Sequence, residues 1–136
     1  MTTTQRIKDT LVSYLTENSP ADSIMVADAT ARETFSLPCL VVDIQGSTAH
    51  SAALHMVSTA EVTITLRAHT GDEPEADIAA WIDQIESLFF DQSAMLAALN
   101  QSDVIFWGWT YNGSSQNWDE ALLEVTFTAA CTFGRI

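Results

Sequence analysis

The chain has 136 residues, 47% of them apolar, which suits one folded domain with its own core and excludes a disordered or two-domain protein. Five Lys plus Arg stand against 18 Asp plus Glu, a formal net charge of −13. Such a surface repels nucleic acid and anionic membrane, because affinity for phosphate comes largely from cationic side chains that displace counterions. That argues against direct nucleic-acid binding, though not against a protein that DNA passes by.

No apolar run approaches the roughly 20 residues that span a bilayer, and Met1–Thr10 lacks the apolar core of a signal peptide. Thr2 and Gln5 have capping-box spacing, and Ile7, Leu11, Tyr14 and Leu15 follow at helical spacing. A helix is expected from Thr3 to about Thr16, ended by Asn18 and Pro20. The periodicity leaves open whether its narrow apolar stripe lies on the sheet or on a neighbouring subunit. Ile24–Val26 reads as a short strand, and Ala27–Phe35 as loop or a helical turn. Pro38 then opens the apolar strand Cys39–Ile44, where a missing ladder donor does no harm.

Gln45–Ser51, with Gly46, reads as a turn. After it Val62, Ile64, Leu66 and Ala68 alternate with Glu61, Thr63, Thr65 and Arg67, and the alternation runs back to Leu54. Together these strands predict a long hairpin whose tip, Gly46–Ala53, stands clear of the core. An arm with so little to bury in its own domain commonly buries itself against a partner.

Asp72-Glu73-Pro74-Glu75 offers an acidic N-cap, Pro in the first turn and Glu at the third position. Ile78, Trp81, Ile82, Ile85, Leu88 and Phe89 give the helix from Glu73 to about Phe90 a broad apolar face. Its outer face carries Glu75, Asp77, Asp83 and Glu86. A second short helix is expected over Gln92–Leu99. In the strand Val104–Tyr111, parity groups Ile105, Trp107, Trp109 and Tyr111 against Val104, Phe106 and Gly108. A strand with two apolar faces is covered on both sides or meets another subunit. Asn112–Asp119 reads as a turn around Asn-Gly.

The cleanest pattern is the last. From Glu120 to Phe133, Leu123, Val125, Phe127, Ala129, Cys131 and Phe133 alternate with Leu122, Glu124, Thr126, Thr128, Ala130 and Thr132. A strand this long must pair with strands already made, so it closes the sheet. The expected fold is α+β: a largely antiparallel sheet of about four strands, with a long hairpin and helices packed on it. Cys39 and Cys131 read as buried free thiols.

Little in the chain suggests chemistry. His50, His55 and His69 come without a Cys pair or an H-E-x-x-H stretch, so exposed loop histidines fit better than zinc. Ser47 and Ser51 beside His50 lack a nucleophile elbow and an orienting carboxylate, since Asp43 has the wrong parity. The acids around Asp72–Asp77 do not follow calcium-loop spacing. Trp107, Trp109 and Trp118 lack the basic neighbours of a base-stacking site. No cofactor is expected, and no enzyme.

The order of elements carries a resemblance. An amphipathic N-terminal helix leads to Leu37-Pro38-Cys39-Leu40-Val41-Val42, then to the alternating strand Ala60–Leu66. The capped helix Asp72–Phe90 follows, and a last strand ends in Cys131-Thr132-Phe133. This organisation resembles the tail terminator, or minor tail completion, proteins of long-tailed bacteriophages, across nearly the whole chain but without a short signature motif. The resemblance implies a non-enzymatic virion protein at the head-proximal end of the tail, assembled in the host cytoplasm. It implies a homo-oligomeric, hexameric ring that caps the tail tube protein, stops elongation and meets the head–tail connector protein. DNA passes through such a ring without specific binding, and no membrane is involved.

Carried onto this chain, subunit contacts fall on Ile7, Leu11 and Tyr14, on Gly46, Ser47, His50 and His55, and on Trp107 and Trp109. The acidic lumen or exposed face falls on Glu75, Asp77, Asp83 and Glu86. Other readings are another small head–tail connector or tail protein, and an acidic DNA mimic that occupies a nucleic-acid-binding protein. Mimicry requires carboxylates at phosphate-like spacing, whereas acids outside Asp72–Asp91 are scattered.

Overall fold

The computed structural model describes residues 3–29, 37–52, 55–69, 71–100 and 105–135, with backbone alone at 3–4, 45–52, 55–58 and 135. The elements are α1 (Thr3–Glu17), β1 (Met25–Asp28), β2 (Cys39–Ala52), β3 (His55–His69), α2 (Glu75–Phe90), α3 (Gln92–Leu99), β4 (Ile105–Asp119) and β5 (Leu122–Arg135). The capping-box residue Thr2, residues 30–36 and Val104 lie outside the described residues.

The five strands form one sheet in the order β1-β2-β3-β5-β4. The fold is α+β as expected, and β5 is the interior strand on which the sheet closes. It pairs antiparallel with β3 from Leu122↔His69 to Arg135↔Met56, and with β4 from Leu122↔Asp119 to Gly134↔Ile105. Its alternation holds throughout: Leu123, Val125, Phe127, Ala129, Cys131 and Phe133 are buried against the helices. The sheet is largely antiparallel as expected but has five strands rather than about four, and β1 lies parallel to β2 from Met25↔Cys39 to Asp28↔Val42.

All three helices lie on one face. α1 contributes Ile7, Leu11 and Leu15, α2 contributes Ile78, Trp81, Ile85 and Phe89, and α3 contributes Met95 and Leu99 to a single core with the sheet. α1 is also tied down electrostatically. Lys8, almost fully buried, lies 3.4 Å from the Asp28 carboxylate, which accepts a 2.8 Å hydrogen bond from Gln5 Nε2. A buried ammonium requires such a partner.

Three local expectations give way. Gln45–Ser51 is not a turn: β2 runs through it to Ala52, and Gly46 is the extra residue of a bulge between Gln45↔Glu61 and Ser47↔Ala60. Asn112–Asp119 is strand as well, and the chain reverses at Glu120–Ala121, where Glu120 takes φ 54°. The acidic N-cap of α2 is absent. The helix starts at Glu75 with Pro74 as cap, whose ring offers no side-chain acceptor, and the Asp72 and Glu73 N–H groups donate to His69 O in the turn leaving β3. α3 is capped by Asp91, whose Oδ1 accepts from Ala94 N–H at 3.0 Å.

Both thiols are free and buried. Cys39 pairs with Arg67 and Cys131 with Ala60, on opposite faces of the sheet and two strands apart, so the two cannot form a disulfide. Burial pushes the Cys131 thiol from 9.0 up to about 11, and burial with a hydrogen bond to Glu86 pushes Tyr111 from 10.0 to about 12. The native state therefore holds these protons at a pH where the unfolded chain has lost them, so their contribution is complete below pH ~9 and falls as pH rises. The urea midpoint should be level up to about pH 8.5 and decline between about pH 9 and 11. Cys131→Val should soften that decline, and a midpoint that rises over this range would contradict the burial.

Candidate assembly surface

The largest departure from simple alternation lies in β4. Phe106 pairs with Phe133 and Gly108 with Thr132, leaving Trp107 as the extra residue of a bulge. One extra residue reverses which side chains face inward. Phe106 and Trp109 consequently both point at the helices, although their parity differs. The grouping of Ile105, Trp107, Trp109 and Tyr111 on one face is corrected accordingly: Trp109 is 3% exposed and Trp107 is 44% exposed. Trp109 Nε1 donates to Phe89 O at 2.9 Å, and its ring tilts against Phe89 at 6.1 Å. Trp109 is thus core, while Ile105 and Trp107 are left at the surface.

A second bulge follows at Asn112, between Tyr111↔Ala129 and Gly113↔Thr128. Gly113 takes φ 110°, which a residue with Cβ resists, so the Asn-Gly pair serves a bulge rather than a hairpin turn. Beyond it β4 continues to Asp119 as an edge strand with largely exposed side chains.

The opposite edge is β2. β1 covers it only as far as Val42, after which the Ala29 N–H donates to Val42 O at 2.9 Å. Among the described residues, nothing pairs with β2 on that side from Asp43 to Ala52. The Asp43 carboxylate takes the Ile44 N–H at 2.9 Å, so the open run effectively begins at Gln45. Gly46, Ser47 and His50 lie along this open run and His55 begins the returning strand; the side chains of Ser47, His50 and His55 fall outside the described ones. The hairpin does not stand free, since β5 accompanies β3 up to Met56.

The α1 stripe expected at a subunit contact is turned toward this chain's own core. Ile7 is 2% exposed and Leu11 0%, both against the sheet, and Tyr14 packs half-buried on the same core. Burial, with the Asp91 carboxylate nearby, raises the Tyr14 hydroxyl pKa. The stripe is narrow because it fits between β1, β2 and α3 rather than against another molecule.

The four acids of α2 do not form one surface. At about 100° per residue, Glu75 and Glu86 fall on one flank of the buried stripe and Asp77 on the other, with Asp83 pointing away from the core. Glu75, Asp77 and Asp83 are exposed. Glu86 is half-buried and accepts a 2.8 Å hydrogen bond from the Tyr111 hydroxyl, which fastens α2 to β4.

The other face of the sheet carries no helix among the described residues. Thr63 and Thr65 on β3 stand beside Thr128 and Thr126 on β5, and Arg67 lies 3.4 Å from Glu124 in the next row. This is a hydroxyl-rich surface that also carries the Arg67–Glu124 ion pair and the exposed Glu61. No group of metal-ligating side chains occurs among the described residues.

No protein-family model matches the chain, and no curated protein matches its sequence. Among solved structures, the fold matches a chain from the virion of a native gene transfer agent (GTA) particle. The TM-score is 0.52 at 10% identity, over 96% of this chain and 90% of that one. At that identity the likeness is one of architecture, and it extends over nearly the full length of both chains.

Proposed function

We propose that this protein is a structural virion subunit that closes into a ring on the end of a tail tube. The ring stops tube growth and offers the surface on which the head docks. The observation that carries this reading is the pair of sheet edges left open among the described residues. β2 and β4 run antiparallel to each other at opposite edges of one sheet, through the chain of antiparallel pairs β2–β3, β3–β5 and β5–β4. A rotation that sets the β4 edge of one copy beside the β2 edge of the next preserves strand direction and face, so the new pair is antiparallel as well. The levels also agree. Thr48 pairs with Thr59, Thr59 with Thr132 and Thr132 with Gly108, so the open part of β2 stands level with the bulged start of β4. Head-to-tail contacts of this kind either close or grow into filaments. The resemblance to tail terminators favours closure with six copies, and the shared architecture with a virion chain supports a place in a particle.

In such a ring the helices face outward and the hydroxyl-rich face of the sheet lines the channel, which suits passage of DNA without specific binding. The α2 acids, spread around their helix, then lie outside the channel rather than lining it. The tail tube protein and the head–tail connector protein are the partners at the two ends.

Magnitudes explain why the tube is needed. Backbone pairing over the level-matched run makes about six hydrogen bonds at about 1 kcal/mol net each. Association itself costs about 4–15 kcal/mol, and like charge of −13 on each copy adds repulsion at low salt. Free subunits should therefore be largely monomeric and join on the tube end. Trp107→Cys combined with Thr48→Cys tests the joint. On tube ends, oxidation should give a ladder of cross-linked species that stops at the closed ring. Capped ends without any cross-link, for cysteines scanned from Ser47 to Ser51, would overturn the edge pairing.

A further inference from the structure

Far from the hairpin tip, the sheet ends in a feature that ring closure leaves unused. The ladder places Trp118 on the helix-facing side of β4, opposite the buried Leu123. α2 begins at Glu75, and its first turns do not reach far enough over the sheet to cover the indole, which is 54% exposed. Between them lies a cleft of about 210 Å³ walled by Ile78, Ala79, Ile82, Leu123, Trp118 and the polar Gln116, with Glu75 at its rim. An apolar cavity of about 150 Å³ holds a benzene-sized group, so this one takes a single bulky side chain. Trp is also the residue type most often found to anchor an interface.

Charge decides what kind of occupant fits. Besides Glu75, this end of the molecule carries exposed Asp72 and Glu120 on the adjoining turns and exposed Asp119 at the end of β4. Arg67, near the same end, lies 3.4 Å from Glu124. A second copy of this chain brings the same net charge of −13 and would set carboxylates against carboxylates. We infer that the cleft is a docking site for a segment of a different protein, in which one bulky apolar side chain is flanked by Lys or Arg. The apolar side chain fills the space beside Trp118, and the cations meet the acidic rim. Because the site is built from α2 and the β4–β5 turn end, it stands or falls apart from the edge-to-edge ring.

The test uses the purified full chain and labelled nine-residue peptides followed by fluorescence anisotropy. One peptide carries a single Phe between pairs of Lys; one has Ala for the Phe, and one has Glu for each Lys. The Phe-Lys peptide should bind, and more weakly as salt is raised from about 50 to 300 mM. Trp118→Ala should weaken it about tenfold, and so should Ala79→Leu, which fills the cleft without removing the indole. Both positions are exposed, so unchanged urea midpoints would show that the variants fold. The Ala peptide should bind about tenfold more weakly and the Glu peptide not at all. Equal binding of the Phe and Ala peptides, equal binding by wild type and both variants, or no binding of the Phe-Lys peptide would each overturn the inference.

Discussion

Replacing Phe127 with Ala should lower the unfolding free energy by about 3–5 kcal/mol, a large part of the roughly 5–15 kcal/mol that holds a domain of this size. Phe127 is 1% exposed at the middle of the interior strand β5, opposite Ile64 on β3. Its ring meets Phe89 of α2 edge-on at 5.7 Å, so truncation opens a void where sheet and helix join. Thr126, one residue away, lies on the face turned away from the three helices, and Thr126→Ala should cost less than about 1 kcal/mol. Urea midpoints with unchanged slopes measure both. Equal shifts for the two variants would mean that β5 does not have the inside and outside described.

The second large effect separates two tryptophans that simple alternation makes equivalent. Trp109→Ala should cost about 3–5 kcal/mol, through the cavity and through the Phe89 carbonyl that loses its 2.9 Å donor. Trp109→Phe keeps most of the volume and should cost about 1–3 kcal/mol, mostly from that carbonyl. Trp107→Ala removes a half-exposed ring at a bulge and should change stability by less than about 1 kcal/mol. The same denaturation experiment reads all three. A Trp107→Ala cost as large as that of Trp109→Ala would show that the bulge is misplaced.

Why some features were legible in the sequence, and others not, follows from how each is encoded. β5, the later part of β3 and α1 carry uninterrupted periods, and their buried residues fall where the pattern puts them. Bulges defeat the same logic, since one extra residue swaps the faces of everything after it. Gly46, Gly108 and Gly113 each sit in or beside a bulge, and isolated glycines within strand-like runs were the available signal. The Asn-Gly pair misled because its local conformation suits a bulge as well as a turn. β1 was too short to reveal that it pairs in parallel with β2.

The candidate surface was only partly legible for a different reason. An amphipathic stripe such as Ile7–Leu11–Leu15 looks the same whether it covers its own sheet or a neighbour's. Glu86 looks like a solvated acid until β4 brings the Tyr111 hydroxyl to it. Open strand edges have no residue signature, because an edge is a property of what does not pair. The run of β2 that no described residue pairs on its outer side, and its level match with β4, therefore emerge only from the ladder.

The most direct measurement of the central claim adds purified protein to unfinished tail tubes and records tube length and end occupancy by electron microscopy. Wild type should occupy one end of each tube as a closed ring and halt further growth. A variant shortened between Gly46 and His55 keeps the pairing of Cys39–Ile44 with Val62–Arg67 and should fold, yet leave ends open. Wild-type protein that never localises to a tube end, with tubes growing on unchecked in its presence, would contradict the account.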